Sequence, residues 1–434
     1  MHGYRTVSGK DSSAIVRFPV DTANIQYETM AGIYVHIPFC KSKCCYCDFY
    51  SCTTLAKKDA VLAAVSHELV SRAHELQGET VRTLYIGGGT PTVCTPRELE
   101  GLIRAVRDTF DTQLEEITVE ANPDDLTPGY LEALRGTGTN RLSIGVQSLL
   151  DRDLRWMNRR HDARQALRAV RDAQAAGFAN LSLDLIYGLP QLSAEQWRRT
   201  LDEFLSLGVP HLSAYHLSVE PRTALGKRFE RGTFRPADER LSEAHYALLH
   251  AVLTGAGYRH YEISSFARPG FESRHNSSYW KGVRYLGVGP AAHSFDGDRR
   301  RWNVSDVREY LRKEPEGTQY ETEEITPKDA YNEFVMTGLR TDGGVDAREL
   351  SARFGARKLQ YFVAQAEKFV AQGNIVQRKS VYYIPAERYL ISDSIISDLF
   401  DAVISLIFLY HTFYSTAGLF SCNFSVHLSA YISV

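Results

Sequence analysis

The sequence predicts an α/β fold: a partial, open β/α barrel of about six units followed by a C-terminal winged-helix-like α+β domain. Three observations lead there. From about Gly32 to Val219, short β-branched runs alternate with amphipathic stretches about six times, which means parallel strands joined by crossover helices. Six units are too few to close an eight-unit barrel. Past about Pro236 the alternation stops, and helical patterns from Pro327 lead into a short hairpin. With 434 residues, 44% hydrophobic and 24% charged, the chain can build one large core and a smaller one.

The strands are expected at Ile33-Tyr34-Val35, Thr83 to Ile86, Ile117 to Val119, Leu142 to Ile144, Leu181 to Ile186 and His211 to Tyr215. Between the first two, Leu62, Val65, Leu69 and Val70 suggest one helical face; Leu102, Ile103, Val106 and Phe110 suggest another. The second helix has a clear start, with Thr95 as cap, Pro96 at the first position and Glu98 completing a capping box. In such folds chemistry gathers at the C-terminal ends of the strands. A further helix is expected around Leu241 to Leu253, then a region dense in Gly, Tyr, Phe, Arg and His. Helices over Phe334 to Leu339, Ala347 to Phe354 and Leu359 to Val370 precede a hairpin from Ile375 to Ile384.

This gives five segments: an N-terminal extension (1–30), the barrel (31–235), a linker or extension region (236–325), the winged-helix-like domain (326–400) and an uncharged tail (401–434). Met30-Ala31-Gly32 would make a natural start, so the preceding residues read as an artefact of start assignment. After Asp401 there is no Lys, Arg, Asp or Glu. The apolar run from Ala402 to Tyr410 is short for a membrane span and lacks basic anchors, so translated sequence beyond the natural end is the expectation.

A net charge of −2 argues against a nucleic-acid or membrane surface spread over the whole protein. The mixed charges of the winged-helix-like part likewise predict no nucleic-acid partner. No apolar run follows the N-terminus as in a secretory signal, so the expected place is the cytoplasm, with any membrane association peripheral.

Four of the seven cysteines lie between Cys40 and Cys47, which points to metal chemistry in a reducing compartment rather than to a disulfide framework. Cys40, Cys44 and Cys47 form a C-x3-C-x2-C spacing directly after a strand and Pro38. Three thiolates on an iron–sulfur cubane leave one iron open to a ligand. Zinc is the alternative, but no nearby histidine or second cysteine pair offers a fourth ligand for a closed site. Cys45, Cys52 and Cys94 fall outside the spacing. Gly87-Gly88-Gly89-Thr90-Pro91-Thr92 follows the second strand and allows close backbone approach. Glu120, Gln147 and Asp184 are polar groups in or beside apolar strands, costly to bury without a partner.

The cysteine spacing and its setting resemble the radical S-adenosylmethionine superfamily. The resemblance implies a 4Fe–4S cluster on Cys40, Cys44 and Cys47, whose open iron chelates S-adenosylmethionine. One electron then cleaves the cofactor to a 5′-deoxyadenosyl radical. Tyr34-Val35-His36-Ile37-Pro38-Phe39-Cys40, the glycine run and Asp184-Leu185-Ile186-Tyr187-Gly188-Leu189-Pro190 are similar to one subfamily, from about Ala31 to about Phe400. It holds oxygen-independent coproporphyrinogen III oxidase and the HemW-type heme chaperones. The implied cofactor site draws on Tyr34, Tyr46, Gly87, Gly88, Gly89, Thr90 and Glu120. Gln147, Arg159 and Asp184 match positions that contact a second cofactor molecule in the oxidase.

Two features separate the relatives. Where the oxidase pattern has a further cysteine two places after the third ligand, this chain has Phe49, the chaperone-like form. His275-Asn276-Ser277-Ser278-Tyr279-Trp280 is similar to the H-N-x-x-Y-W stretch associated with heme binding in the chaperones. The resemblance thus implies heme as cargo with His275 as a ligand, His293 and Arg274 as weaker candidates for the same pocket, and apo-hemoproteins, including respiratory ones, as acceptors. It also implies an electron donor such as a flavodoxin or ferredoxin. The rival expectation is the oxidase itself, decarboxylating coproporphyrinogen III to protoporphyrinogen IX.

Overall fold

The computed structural model describes residues 30–313 and 320–401. Apart from Met30 and Asp401, the expected N-terminal extension and uncharged tail lie outside the described residues.

The barrel builds in strict alternation: β1 (Met30–Ile37), α1 (Lys58–Ser71), β2 (Thr80–Gly88), α2 (Pro96–Thr109), β3 (Thr112–Ala121), α3 (Pro128–Gly136) and β4 (Arg141–Gln147). Two helices, α4 (Asp151–Trp156) and α5 (Ala163–Ala175), precede β5 (Asn180–Tyr187); α6 (Ala194–Ser206) leads to β6 (His211–His216). β1 to β6 pair in parallel and in sequence order. Thr95 caps α2 in the expected capping box with Glu98, and Ser193 caps α6 with Gln196 in the same way.

The α1 face differs from the expectation. Val61, Ala64, Val65, Glu68 and Leu69 are buried, while Val70 is 60% exposed. Val70 follows Leu69 by a single residue, about 100° around the helix, and so leaves the buried stripe. Glu68 is a carboxylate on that buried stripe, and it is fully paired. It accepts from Arg72 Nη1 (2.6 Å), the Gly289 amide (2.8 Å), Asn303 Nδ2 (2.7 Å) and the Tyr310 hydroxyl (2.6 Å).

Beyond β6 come α7 (Ala224–Glu230), α8 (Glu239–Gly255), β7 (Arg259–Glu262), β8 (Ser265–Ala267), α9 (Arg274–Trp280), β9 (Arg284–Val288), β10 (His293–Phe295), β11 (Arg299–Asn303), α10 (Val307–Lys313) and β12 (Tyr320–Glu324). This segment supplies six strands of the sheet. β9 adds in parallel to the free edge of β1 and is extended by β10, β11 and β12, while β8 and β7 add antiparallel beyond β6. The twelve strands run β12-β11-β10-β9-β1-β2-β3-β4-β5-β6-β8-β7, an open barrel. The Glu68 network is what fastens β9 and α10 to α1.

The strands alternate sharply. Ile33, Val35, Leu84, Ile86, Ile117, Val119, Leu142, Ile144, Leu183 and Leu212 join the main buried core. The intervening positions are Tyr34, Tyr85, Glu120, Ser143, Asp184 and Ser213, and they form the opposite, polar face.

The C-terminal part comprises α11 (Pro327–Leu339), β13 (Val345–Asp346), α12 (Ala347–Ala371), β14 (Val376–Arg378), β15 (Val381–Tyr383) and α13 (Ser392–Ser397). Gly355, at φ 84°, breaks α12 where the sequence separates two helical patterns. Its three strands form a small separate sheet, β13-β15-β14. No helix among the described residues is long and apolar enough to cross a membrane.

Candidate cluster and cofactor site

The cysteine loop leaves the C-terminal end of β1 and is pinned at both ends. Cys40 donates its amide to the Cys52 carbonyl (3.0 Å), Cys52 returns one to Pro38 (2.8 Å), and the Cys45 amide reaches the Met157 carbonyl (3.1 Å). The glycine run at the end of β2 is laced along it. Gly89 donates to Ile37 (2.8 Å), Thr90 donates to Phe39 (2.7 Å), and the Thr90 hydroxyl reaches Cys40 Sγ at 3.5 Å. A Cβ at Gly89 would meet the Phe39 backbone at 2.7 Å, so no larger residue fits there. The glycines therefore set the contact between β2 and the cysteine loop.

Cys40, Cys44 and Cys47 are free thiols. Burial raises the Cys40 thiol and pushes Cys47 up to about 12, with Cys44 the next contributor for Cys47. Cys45 turns its thiol to the Trp156 carbonyl at 3.5 Å, consistent with a bystander. Among the described residues no three ligating side chains converge on the position of a single ion. Three cysteine thiolates on one loop are a donor set that suits a cubane with one iron left open.

Arg159 bridges the loop to the strands. It reaches Cys44 Sγ (3.4 Å), Asn122 Oδ1 (2.7 Å) and the Gly145 carbonyl (2.6 Å), while its buried Nε has no partner. Tyr46 is half-buried beside Cys44 and Arg159, and desolvation raises its hydroxyl pKa. Gln147, at φ 66°, follows a register shift in β4 and folds back toward Gly145; a Cβ at Gly145 would lie 2.9 Å from its amide nitrogen.

Glu120 is held at the centre of the polar face. One carboxylate oxygen accepts from the Tyr85 hydroxyl (2.8 Å), the other from the Gly88 amide (3.0 Å). Gly88 has φ +107°, and a Cβ there would strike the His36 ring at 2.6 Å. Burial raises the Glu120 pKa. Asp184 is pushed up to about 7, first by burial and next by Glu120, and Ser143 donates to it at 3.1 Å. Tyr34, Glu120, Gly88, Asp184 and Arg159 are thus gathered around one polar lumen. Its amide, carboxylate and guanidinium groups suit a ligand with an amine, a carboxylate and ribose hydroxyls.

His275 lies elsewhere, at the floor of the barrel. Glu116 on β3 accepts the amides of Arg274 (2.9 Å) and His275 (3.0 Å), seating the N-terminus of α9 under the strands. The His275 ring is fully buried, with Nδ1 at 2.8 Å from the Thr83 hydroxyl and Nε2 at 2.8 Å from the Tyr279 hydroxyl. It stacks on Tyr85 at 5.2 Å, and burial lowers its pKa to about 3. Both ring nitrogens are engaged within the protein. Arg274 is exposed and pairs with Glu115. His293 stacks on Trp302 at 5.9 Å, on the β10–β11 side.

The sequence reading missed several lumen groups: Tyr85, Asn122, Tyr215 and Glu262. Tyr215 is 42% exposed, facing Asp184 and Glu262, and burial pushes Glu262 up to about 7. The available signal was the period of two. Along β4, Arg141-Leu142-Ser143-Ile144-Gly145-Val146-Gln147 alternates without exception.

Comparison with known proteins agrees with this architecture. The radical SAM superfamily model matches residues 34–204, and the HemN C-terminal domain model matches residues 325–385. The heme chaperone HemW of Lactococcus lactis is 35% identical over 322 residues, covering 74% of this chain and 84% of that one. HemW of Bacillus subtilis is 32% identical over 371 residues, covering 84% and 98%. Among solved structures, coproporphyrinogen III oxidase from Escherichia coli, a radical SAM enzyme, superposes with a TM-score of 0.75 at 25% identity, covering 86% of this chain and 91% of that one. By its likeness to near-complete relatives, the chain belongs to the HemW heme chaperone family of radical SAM proteins.

Proposed function

We propose that the protein is a cytoplasmic heme chaperone that holds a 4Fe–4S cluster and S-adenosylmethionine, binds heme and hands it to apo-hemoproteins, respiratory ones among them. One observation carries the reading: the three-cysteine loop is laced to the glycine run beneath Arg159, with Phe49 where an oxidase-type loop would carry another cysteine. Cys40, Cys44 and Cys47 would hold the cluster, which when reduced supplies the electron that cleaves the bound cofactor. Tyr34, Tyr46, Gly87, Gly88, Gly89, Thr90, Glu120, Gln147, Arg159 and Asp184 would bind and orient S-adenosylmethionine. In that role the Gly88 amide and the Tyr85 hydroxyl fix the Glu120 carboxylate, and Arg159 keeps a positive charge beside the Cys44 sulfur.

Heme is the proposed cargo. For His275 to ligate its iron, a ring nitrogen must leave the Thr83 or Tyr279 hydroxyl, so ligation by His275 entails opening the barrel floor. Any membrane association is peripheral.

The test is an anaerobic incubation of the reconstituted protein with S-adenosylmethionine, a reductant and coproporphyrinogen III, followed by heme titration. The proposal expects no decarboxylated porphyrin and a saturable heme spectrum. Repeated turnover to protoporphyrinogen IX would make the protein the oxidase instead.

A further inference from the structure

Among the described residues two cationic side chains are buried, Arg72 and Arg141, and the fold treats them in opposite ways. Arg72 is bonded at every guanidinium nitrogen, to Glu68, Glu75, the Gly287 carbonyl and the Ser294 hydroxyl. Arg141 is 1% exposed and, among the described residues, makes no hydrogen bond and no ion pair; its Nε is buried without a partner. Beside it Thr118, the register partner of Arg141 on β3, is fully buried, and its Oγ1 is likewise unpartnered. A guanidinium taken out of water without an acceptor is among the costliest groups a fold can hold, and such a charge is ordinarily paired.

The neighbours do not supply the acceptor. Arg141 lies on the lumen face of β4, in register with Thr118, Tyr85 and Tyr34 on the three preceding strands. Its charge is felt by Glu120, Asp184, His211 and His275. Each of these is engaged elsewhere: Glu120 by the Tyr85 hydroxyl and the Gly88 amide, Asp184 by Ser143, His211 by Ser182 and Tyr261, and His275 by Thr83 and Tyr279. Burial raises both carboxyl groups, which weakens them as counter-charges. The position is also deep. Arg159, which reaches Cys44, bonds the Gly145 carbonyl, and Arg141 lies about 13 Å farther down the same strand.

We infer that Arg141 and Thr118 form an anion site low in the barrel lumen, which takes a carboxylate of the bound ligand. The inference deepens the functional reading above and rests on it. A carboxylate matches the guanidinium fork with two parallel N–H···O bonds, and it has lone pairs left to accept from the Thr118 hydroxyl. That reading supplies two sources of the chemistry: a propionate of heme, carried on a short flexible arm, and the methionyl carboxylate of S-adenosylmethionine.

The experiment uses the full chain reconstituted with its cluster, as the parent, Arg141→Gln and Arg141→Lys. Anaerobic equilibrium titrations are run with heme and with heme dimethyl ester, in which both propionates are masked. They are repeated with S-adenosylmethionine and its decarboxylated analogue. The inference expects Arg141→Gln to bind heme at least about tenfold more weakly, while the ester binds parent and variant alike. Arg141→Lys, which keeps the charge and loses the fork, should fall between. The same pattern in the cofactor pair, absent with heme, would assign the site to the carboxylate of S-adenosylmethionine. Affinities within about twofold for every ligand would overturn the inference. So would equal losses for heme and its ester, which mark a disturbed lumen rather than a missing carboxylate contact. Melting of the ligand-free proteins tests a purely structural role. A charge that waits for a ligand is unpaired without it, so Arg141→Gln should melt no lower than the parent. A midpoint lowered by more than about 5 °C would make Arg141 a structural counter-charge to Glu120 and Asp184, and the inference would fall. A parent that takes up the cluster but binds neither heme nor S-adenosylmethionine overturns the functional reading itself, and the inference with it.

Discussion

Replacing His275 with alanine separates two roles that the sequence alone cannot tell apart. In the folded protein the ring is fully buried and bonded at both nitrogens, to the Thr83 and Tyr279 hydroxyls at 2.8 Å each. Alanine leaves two buried hydroxyls short of a partner, at about 1–3 kcal/mol each. It also removes the stack on Tyr85 at 5.2 Å, about 0.5–1.5 kcal/mol. The sum is about 2.5–7.5 kcal/mol, a large share of the roughly 5–15 kcal/mol typical of a whole domain. His275→Phe keeps the stack and loses both hydrogen bonds, so it should recover about 1 kcal/mol of that loss. Denaturant unfolding of the cluster-free proteins measures the difference directly, with heme titration beside it. If His275→Ala unfolds within about 1 kcal/mol of the parent yet loses heme, the histidine is a ligand and not a floor residue, and the packing argument is refuted. Loss of heme together with several kcal/mol of stability would be what floor collapse produces.

Other expectations follow from the same structure. Cys40→Ala, Cys44→Ala and Cys47→Ala should each abolish the brown absorbance of the reconstituted protein, whereas Cys45→Ala should keep it; the reverse result for Cys44 and Cys45 would reassign the ligand. Gly88→Ala should fail to load S-adenosylmethionine in equilibrium binding, because its Cβ would meet the His36 ring at 2.6 Å and move the amide that holds Glu120. Glu68→Ala should cost about 3–5 kcal/mol in unfolding free energy, since it leaves Arg72 charged and buried without that partner. Stability should also fall on acidification. His275 and His260 have folded-state pKa values lowered to about 3 by burial, below the unfolded value of 6.5. Their contribution is present above pH 6.5 and lost as pH falls toward 3, at about 1.4 kcal/mol per pH unit per histidine. Asp184 and Glu262, raised to about 7, act the other way and lose stability as pH rises toward 7. His275→Phe should therefore flatten the acid limb of a pH–stability curve by about one proton.

The strand–helix alternation, the α2 capping box and the cysteine spacing were all legible because each is local: a period, a cap or a loop motif. What was less legible was long-range. Nothing in the composition of residues 236–325 announces that β9 will return beside β1, because the evidence for it is a carboxylate, Glu68, that only makes sense once Asn303 and Tyr310 arrive from more than 230 residues away. His275 illustrates the same limit at the site. The motif around it was visible, but whether its ring faces a cargo or plugs a floor depends on Thr83, Tyr85 and Glu116 on two distant strands.

The alternation within the strands carries more functional information than the motifs do. Parallel strands covered by helices are ordinarily apolar on both faces. Here Ile117 and Val119 pack outward while Glu116, Thr118 and Glu120 point the other way, and Leu181, Leu183 and Leu185 do so against Ser182 and Asp184. A solid barrel core would fill the inner layers with branched apolar side chains. A chain that places carboxylates, hydroxyls and Arg141 there accepts a desolvation cost unless a polar ligand or a complete hydrogen-bond network offsets it. Near the floor the network is complete around Glu116 and His275. Elsewhere it is not: Thr118 Oγ1 and Arg141 Nε midway along the strands and Arg159 Nε beside the cysteine loop are buried without partners, and Tyr215 stands 42% exposed within the barrel. The polar face is therefore not closed by the protein's own hydrogen bonds, and at its Arg159 end it meets the cysteines.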